Sequence, residues 1–214
     1  MYGDTLCAQV TATALAQTGH EVVWYVTEQQ GWQALEQGGA IYHEQGLRLL
    51  LDEQCGSGRL KYRFWDGQDD VADVAVVFVS LQPGSVSMAE RIARMHATKP
   101  GCSLLVNQTM GPVGTSEAIR DTVKEVNPAM AVVALPDLIQ QGNAFDTFTR
   151  PVSILLGCED EQAGPLMYEI MRPFNRRKDV IQLMSLREAE FAKLAISGIL
   201  ATRISFMNDM AHLS

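Results

Sequence analysis

Residues Val74–Leu81 read VAVVFVSL, apolar at every position but Ser80 and rich in valine. A strand that shows one face to water alternates polar and apolar residues. An unbroken apolar run of this length fits a strand covered on both faces. Three more runs of the same kind follow, at Cys102–Val106 (CSLLV), Met130–Ala134 (MAVVA) and Val152–Leu156 (VSILL). Between them lie segments with helical spacing: Ser85–Ala97, with Ser85 or Ser87 as its cap, and Gly114–Val126 after a Pro-Val-Gly-Thr turn.

The same alternation extends in both directions. Upstream, Leu6–Ala16 is an Ala-rich helix closed by Gly19, and Glu21–Val26 (EVVWYV) is a strand. Helices at Gln30–Glu36 and Glu44–Gln54 lead to Leu60–Trp65 (LKYRFW), which alternates as a half-exposed strand does. Downstream come a helix at Asp160–Phe174, a short strand at Val180–Met184, and Arg187–Leu213, which holds no proline and only Gly198 as a weak point. At 1.5 Å per residue that last helix is roughly 40 Å long. Buried strands alternating with helices predict an α/β fold, a doubly wound and mostly parallel sheet with helices on both faces, followed by a long C-terminal helix. The expected units are residues 1–185 and the helix at 186–214. Leu135–Arg150 is the least regular stretch, and loops of that kind carry function.

Composition narrows the function. The 214 residues carry 17 Lys and Arg against 25 Asp and Glu, a net charge of −8. That balance argues against a nucleic-acid backbone or an anionic membrane surface as the main partner, while leaving room for a local basic site. Hydrophobic residues at 47% and charged residues at 20% exclude a disordered chain. Cys7, Cys55, Cys102 and Cys158 are scattered with no CxxC pair. Neither a zinc site nor a disulfide framework is expected, and free thiols suit a reducing cytoplasm. No run reaches the ~18 apolar residues that span a bilayer.

Four motifs carry chemistry. Gly3-Asp4-Thr5-Leu6-Cys7-Ala8 opens the first helix with Gly3, Thr5 and Ala8 in the three small-residue slots of a dinucleotide fingerprint. Those slots let backbone amides approach a pyrophosphate at a helix N-terminus. Thr5 sets a branched side chain in the second slot, and the acid expected at the end of the next strand is Val26, with Glu28 two residues on. The same residues also read as a tight strand-to-helix turn with no nucleotide. Gly111–Thr115 follows a buried strand and opens a helix, as an anion-binding loop or as a plain turn. Asp137 follows Pro136 where open α/β sheets place ligands, as a general base, a water-orienting group or an ordinary turn residue. Lys193 is the only charge in Phe191–Thr202 (FAKLAISGILAT). A helix apolar nearly all round is expected to be buried on several sides, so its lysine either reaches a wet edge or serves a site.

Taken together these segments resemble the UDP-glucose/GDP-mannose dehydrogenase family. Gly19-His20-Glu21-Val22, the segment Ile41–Leu47 (IYHEQGL), Thr109–Thr115 (TMGPVGT), Leu135–Gly142 with Ala144 and Pro151–Gly157, and Ala189–Asn208 follow that family's order and spacing along the whole chain. The resemblance implies a Rossmann-like NAD-binding domain. It also implies oxidation of the 6-hydroxymethyl group of a nucleotide sugar in two hydride transfers to NAD, and a homodimer formed through helix 187–213. Gly3, Thr5, Ala8 and Gln141 correspond to cofactor-side positions, and Lys193 and Asp137 to catalytic ones. The family's thiol nucleophile and substrate domain come after this helix, and none of the four cysteines lies in a matching motif.

The departures are specific. Asp137 stands where the family has a glutamate, Gln141 where it has a second glutamate near the nicotinamide, Met110 for a threonine, Ser197 for an asparagine, and Val26 for the ribose acid; Lys193 matches. Only Met1 and Tyr2 precede Gly3, where the family has its central first strand. That predicts upstream residues, a damaged sheet or another segment in the slot. Two functions are therefore expected: a divergent or partial dehydrogenase without full activity, or a non-catalytic dimeric interaction protein on the same scaffold.

Overall fold

The structure is a computed structural model describing residues 1–68, 71–175 and 179–213. Helix α1 (Leu6–Gln17) leads to β1 (Val22–Val26), α2 (Gln29–Glu36), α3 (Leu47–Gly56), β2 (Leu60–Phe64) and β3 (Val76–Val79). Then come α4 (Val86–Ala97), β4 (Leu104–Asn107), α5 (Thr115–Lys124), β5 (Ala131–Ala134), α6 (Ala144–Thr149), β6 (Ile154–Gly157), α7 (Ala163–Met171), a 3-10 turn at Arg172–Phe174, β7 (Ile181–Met184) and α8 (Leu186–Leu213). Ser214, the end of the expected 186–214 unit, lies outside the described residues.

The valine run is β3, paired in parallel with β4, which pairs in parallel with β5. β1 and β2 form a second parallel pair, and β6 and β7 a third. β6 runs antiparallel to β5 through the Ala134–Gly157 pair, so the sheet is mostly parallel. The two strand groups, β2–β1 and β3 to β7, meet across Tyr2, which bridges Tyr25 on one side and Val79 on the other. Tyr2 N donates to Phe78 O at 2.8 Å and its carbonyl accepts from Ser80 N at 2.9 Å. Tyr25 N donates to Met1 O at 2.7 Å and Gly3 N to Tyr25 O at 3.0 Å. A single extended turn of backbone thus fills the seam. The Tyr2 ring stacks on Tyr25 with centroids 4.7 Å apart, and its hydroxyl lies 2.9 Å from His96 Nε2.

Several expectations need correction. Ser85 is the N-cap of α4 by position, but its side chain makes no capping bond. α3 starts at Leu47 rather than Glu44 because Gly46 precedes it at φ +76°, outside helical space. The supposedly irregular Leu135–Arg150 contains α6, whose first amides are capped by a distant carboxylate, described below. α7 is shorter than Asp160–Phe174: the Asp160 carboxylate folds back onto the amides of Gln162 and Ala163, and Pro173 tightens the end into 3-10 geometry. The largest correction is at α8. Phe191–Thr202 is not buried on several sides within the chain; Phe191 is 61% and Leu200 56% exposed. Only the first turns of α8 are seated, with Leu186 and Ala189 fully buried. They press on β6 where Gly157 leaves room: a Cβ there would lie 2.9 Å from Ala189 Cβ and 3.0 Å from Leu186 Cα.

Candidate functional site

The fold brings two of the sequence-predicted residues together across 56 positions. Asp137 leaves the carboxyl end of β5 through Leu135 and Pro136, and Lys193 projects from the second turn of α8. Lys193 Nζ donates to Asp137 Oδ1 at 3.1 Å, and both side chains are 18% exposed. A partly buried pair of this kind is held more firmly than a surface ion pair. The lysine therefore reaches a specific acceptor rather than open water.

Beside the pair lies a cleft of about 70 Å³, lined among others by Asn107, Thr109, Ser116, Glu190, Lys193 and Ser197. Asn107 ends β4 and donates from Nδ2 to Ser116 Oγ at 2.9 Å, while its Oδ1 accepts from Thr109 N at 3.0 Å. Met110 is 45% exposed at the rim, so no hydroxyl enters the cleft from that position. Cys7 lies close enough to feel both charges. Burial first, and the Asp137 carboxylate second, push its thiol up to about 12. It stays protonated near neutrality and is no substitute nucleophile.

The first turn of α1 answers the fingerprint question in part. Gly3 sits at φ +116°, and a Cβ there would overlap the Ser80 carbonyl, so glycine is required by close backbone approach. Ala8 is fully buried, as the third slot requires. Thr5 departs. It is the N-cap of α1, its Oγ1 accepts from Ala8 N at 3.0 Å, and it lies 2.6 Å from Ser80 Oγ. The hydroxyl thus satisfies an amide that a phosphate oxygen would otherwise take. At the ribose position Val26 is fully buried, and Thr27 Oγ1 donates to Asp4 Oδ1 at 2.7 Å. Burial, the leading cause, raises the Asp4 carboxyl above its ordinary range. Gly3 and Ala8 thus keep two of the fingerprint's small-residue slots, while Thr5 fills the second with a side chain bonded inside the domain.

Gln141 is exposed ahead of α6. Sequence reasoning missed two carboxylates. Glu44 accepts from Gly142 N at 2.7 Å and Ala144 N at 3.1 Å, tying the segment before α3 to the start of α6. Glu190 accepts from Gly114 N at 2.6 Å and Ser116 N at 2.7 Å, capping α5 from α8. The signal for Glu190 was its place one turn before Lys193.

Comparison with known proteins fits this geometry. The family of UDP-glucose/GDP-mannose dehydrogenases, in its NAD-binding domain, matches residues 6–175. The chain belongs to that family. It is 31% identical to the UDP-glucose 6-dehydrogenase of Pseudomonas aeruginosa over 95% of this chain and 48% of that protein. It is 30% identical to the corresponding enzyme of Rhizobium meliloti over 100% of this chain and 52% of that one. Among solved structures, a UDP-glucose dehydrogenase from the hyperthermophilic archaeon Pyrobaculum islandicum superposes with a TM-score of 0.83 at 26% identity, covering 98% of this chain and 51% of that one. The chain spans about half the length of the curated relatives it matches. No helix among the described residues is long and apolar enough to cross a membrane, and no cluster of three metal-ligating side chains occurs there.

Proposed function

We propose that this chain is the cofactor-domain portion of a nucleotide-sugar 6-dehydrogenase type of protein, binding a dinucleotide or nucleotide sugar weakly and lacking full dehydrogenase turnover. In this reading residues 1–185 are the cofactor unit and 186–214 the connecting and dimerising helix. Lys193 and Asp137 are the catalytic-side pair, and Gly3, Thr5, Ala8 and Gln141 face the cofactor. The observation that carries the reading is the Thr5 hydroxyl on the Ala8 amide, 2.6 Å from Ser80 Oγ. It closes internally the place where the fingerprint offers its amides to a diphosphate. The shortened carboxylate at Asp137, engaged with Lys193, supports it as well. Electrostatic catalysis depends on positions held to fractions of an ångström. Incubation with NAD and UDP-glucose, followed by absorbance of the reduced cofactor, is expected to show no robust turnover. Rapid turnover would overturn the reading.

A second reading, a non-catalytic homodimeric interaction protein, is favoured by one feature. The exposed side of α8 carries Phe191, Leu194, Ile199, Leu200, Phe206 and Met207, each more than half exposed. A calorimetric screen with dinucleotides and nucleotide sugars separates the two. Stable dimers with no response to any of these ligands would favour the second.

A further inference from the structure

Among the described residues, three polar ties attach the start of α8 to the domain, at intervals of three residues. Arg187 pairs with Glu117 in the first turn of α5. Three residues on, Glu190 accepts from Gly114 N and Ser116 N. Three further on, Lys193 reaches Asp137. Each step of three residues turns the position by about 60° around a helix, so the three groups share one broad face with Glu190 in its middle.

The middle tie differs in kind from its neighbours. The N-cap of α5 is Gly114, which holds φ +103° and has no side chain to cap the helix. Its leading amides are orphan donors that need an acceptor, and a carboxylate at a helix N-terminus is also favoured by the helix dipole. Glu190 supplies that acceptor from another element, with one oxygen on each of two amides. Two charge-assisted bonds from one planar carboxylate fix both the distance and the rotation of α8 against the Gly111–Ser116 loop. Lys193 and Glu190 line the same cleft. Past Lys193, the helix is exposed on most of its circumference, so little packing restrains its rotation there.

We propose that Glu190 is a positioning residue: by clamping α8 to the amides of Gly114 and Ser116 it sets the azimuth that holds the Lys193 ammonium against Asp137. The proposal deepens the reading of Lys193 and Asp137 as the site's central pair, and its test does not depend on turnover. Lysine acylation followed by mass spectrometry reads how well Lys193 is protected in the intact chain, with the other four lysines as internal controls. Glu190→Ala is expected to raise the labelling rate of Lys193 about fivefold, the factor matching the net contribution of one ordinary hydrogen bond. The other lysines should change little. Asp137→Asn supplies the reference for a lysine deprived of its partner. Glu190→Gln keeps an oxygen for one amide and should restore part of the protection. It also serves if the alanine variant fails to fold. If Lys193 stays as protected as in the natural chain in Glu190→Ala, or in Glu190→Gln should the alanine variant not fold, while the melting temperature falls, Glu190 is only a helix cap and the proposal is wrong. If the natural chain turns over NAD and UDP-glucose rapidly but labelling follows this pattern, the functional reading fails and the positioning role stands.

Discussion

Thr5→Gly is expected to make the protein less stable and, at the same time, a better dinucleotide binder. The loss of stability has two parts. Replacing a threonine N-cap by glycine costs only a few tenths of a kcal/mol, because the glycine backbone is itself tolerated there. Losing the bond to Ser80, at 2.6 Å, adds about 1 kcal/mol, the net worth of a typical internal hydrogen bond. Together they come to about 1–2 kcal/mol. In a domain of about 200 residues each kcal/mol moves the melting temperature by roughly 2–4 °C, so a fall of about 3–6 °C is expected. The gain in binding comes from the Ala8 amide, which Thr5 Oγ1 now holds at 3.0 Å. A hydrogen bond to a charged phosphate contributes about 1.5–3 kcal/mol, so NAD affinity should rise about tenfold or more. Differential scanning calorimetry reads the first quantity and isothermal titration with NAD the second. Opposite signs are the signature, since a mutation that merely loosened the domain would weaken both. Unchanged or weaker NAD binding would refute the placement of Thr5 in the pyrophosphate slot.

Gly3→Ala should be far more damaging than its size implies. The new methyl meets the Ser80 carbonyl at a backbone of φ +116°, and the expected cost is about 3 kcal/mol or more, read by urea unfolding. His96 is 1% exposed, and burial lowers its pKa from 6.5 to about 4. The unfolded chain binds the proton more readily than the folded one between those values. The contribution is therefore complete above about pH 6.5 and is lost as pH falls toward 4, by up to about 3 kcal/mol. Urea titrations at pH 7 and 4.5 should show this loss in the natural chain and much less of it in His96→Gln; equal pH slopes would remove His96 from the account. Leu200→Asp, at a side chain 56% exposed in the single chain, should leave the fold intact and shift light-scattering mass from dimer to monomer. A dimer of unchanged strength would place the interface elsewhere.

How much of this was legible in the sequence depends on whether the cause was local. The buried strands were plain because an apolar run needs no partner to be recognised, and three of the four residues of Val76–Val79 are buried as expected. The start of α3 was misjudged because the leucines of that segment outweighed Gly46, whose positive φ decides the boundary. Exposure of α8 was misjudged for a different reason. Hydrophobicity says that a surface avoids water, not which chain covers it, and the covering surface is not supplied by the domain to which α8 is attached. Tyr2 shows the opposite case. Three residues look too few to stand in for a strand, yet their backbone groups are shared between β1 and β3 and their one large ring is stacked on Tyr25.

The candidate site divides along the same line. Lys193 stood out because a lone charge in an apolar helix is costly without an acceptor, and Asp137 because of its place after a central strand. Their meeting required the fold. Glu44 carried no pattern of its own, and Glu190 only its place one turn before Lys193, so neither stood out as a site residue. Their meaning comes from amides at the starts of α5 and α6, contributed by residues 76 and about 100 positions away. Both carboxylates do the same work, supplying from a distance the cap that Gly114 at α5 and Asn143 at α6 leave open. The loops around the cleft are therefore shaped by long-range anion-to-amide bonds, whereas α1 is capped from within by Thr5. An anion arriving from outside would have to displace Thr5 at α1 and a glutamate at α5. The Thr5 hydroxyl is uncharged and the Glu190 carboxylate is not, so α1 is the end that yields first. That ordering is why Thr5, rather than any group around Lys193, is the position whose change should alter ligand affinity most.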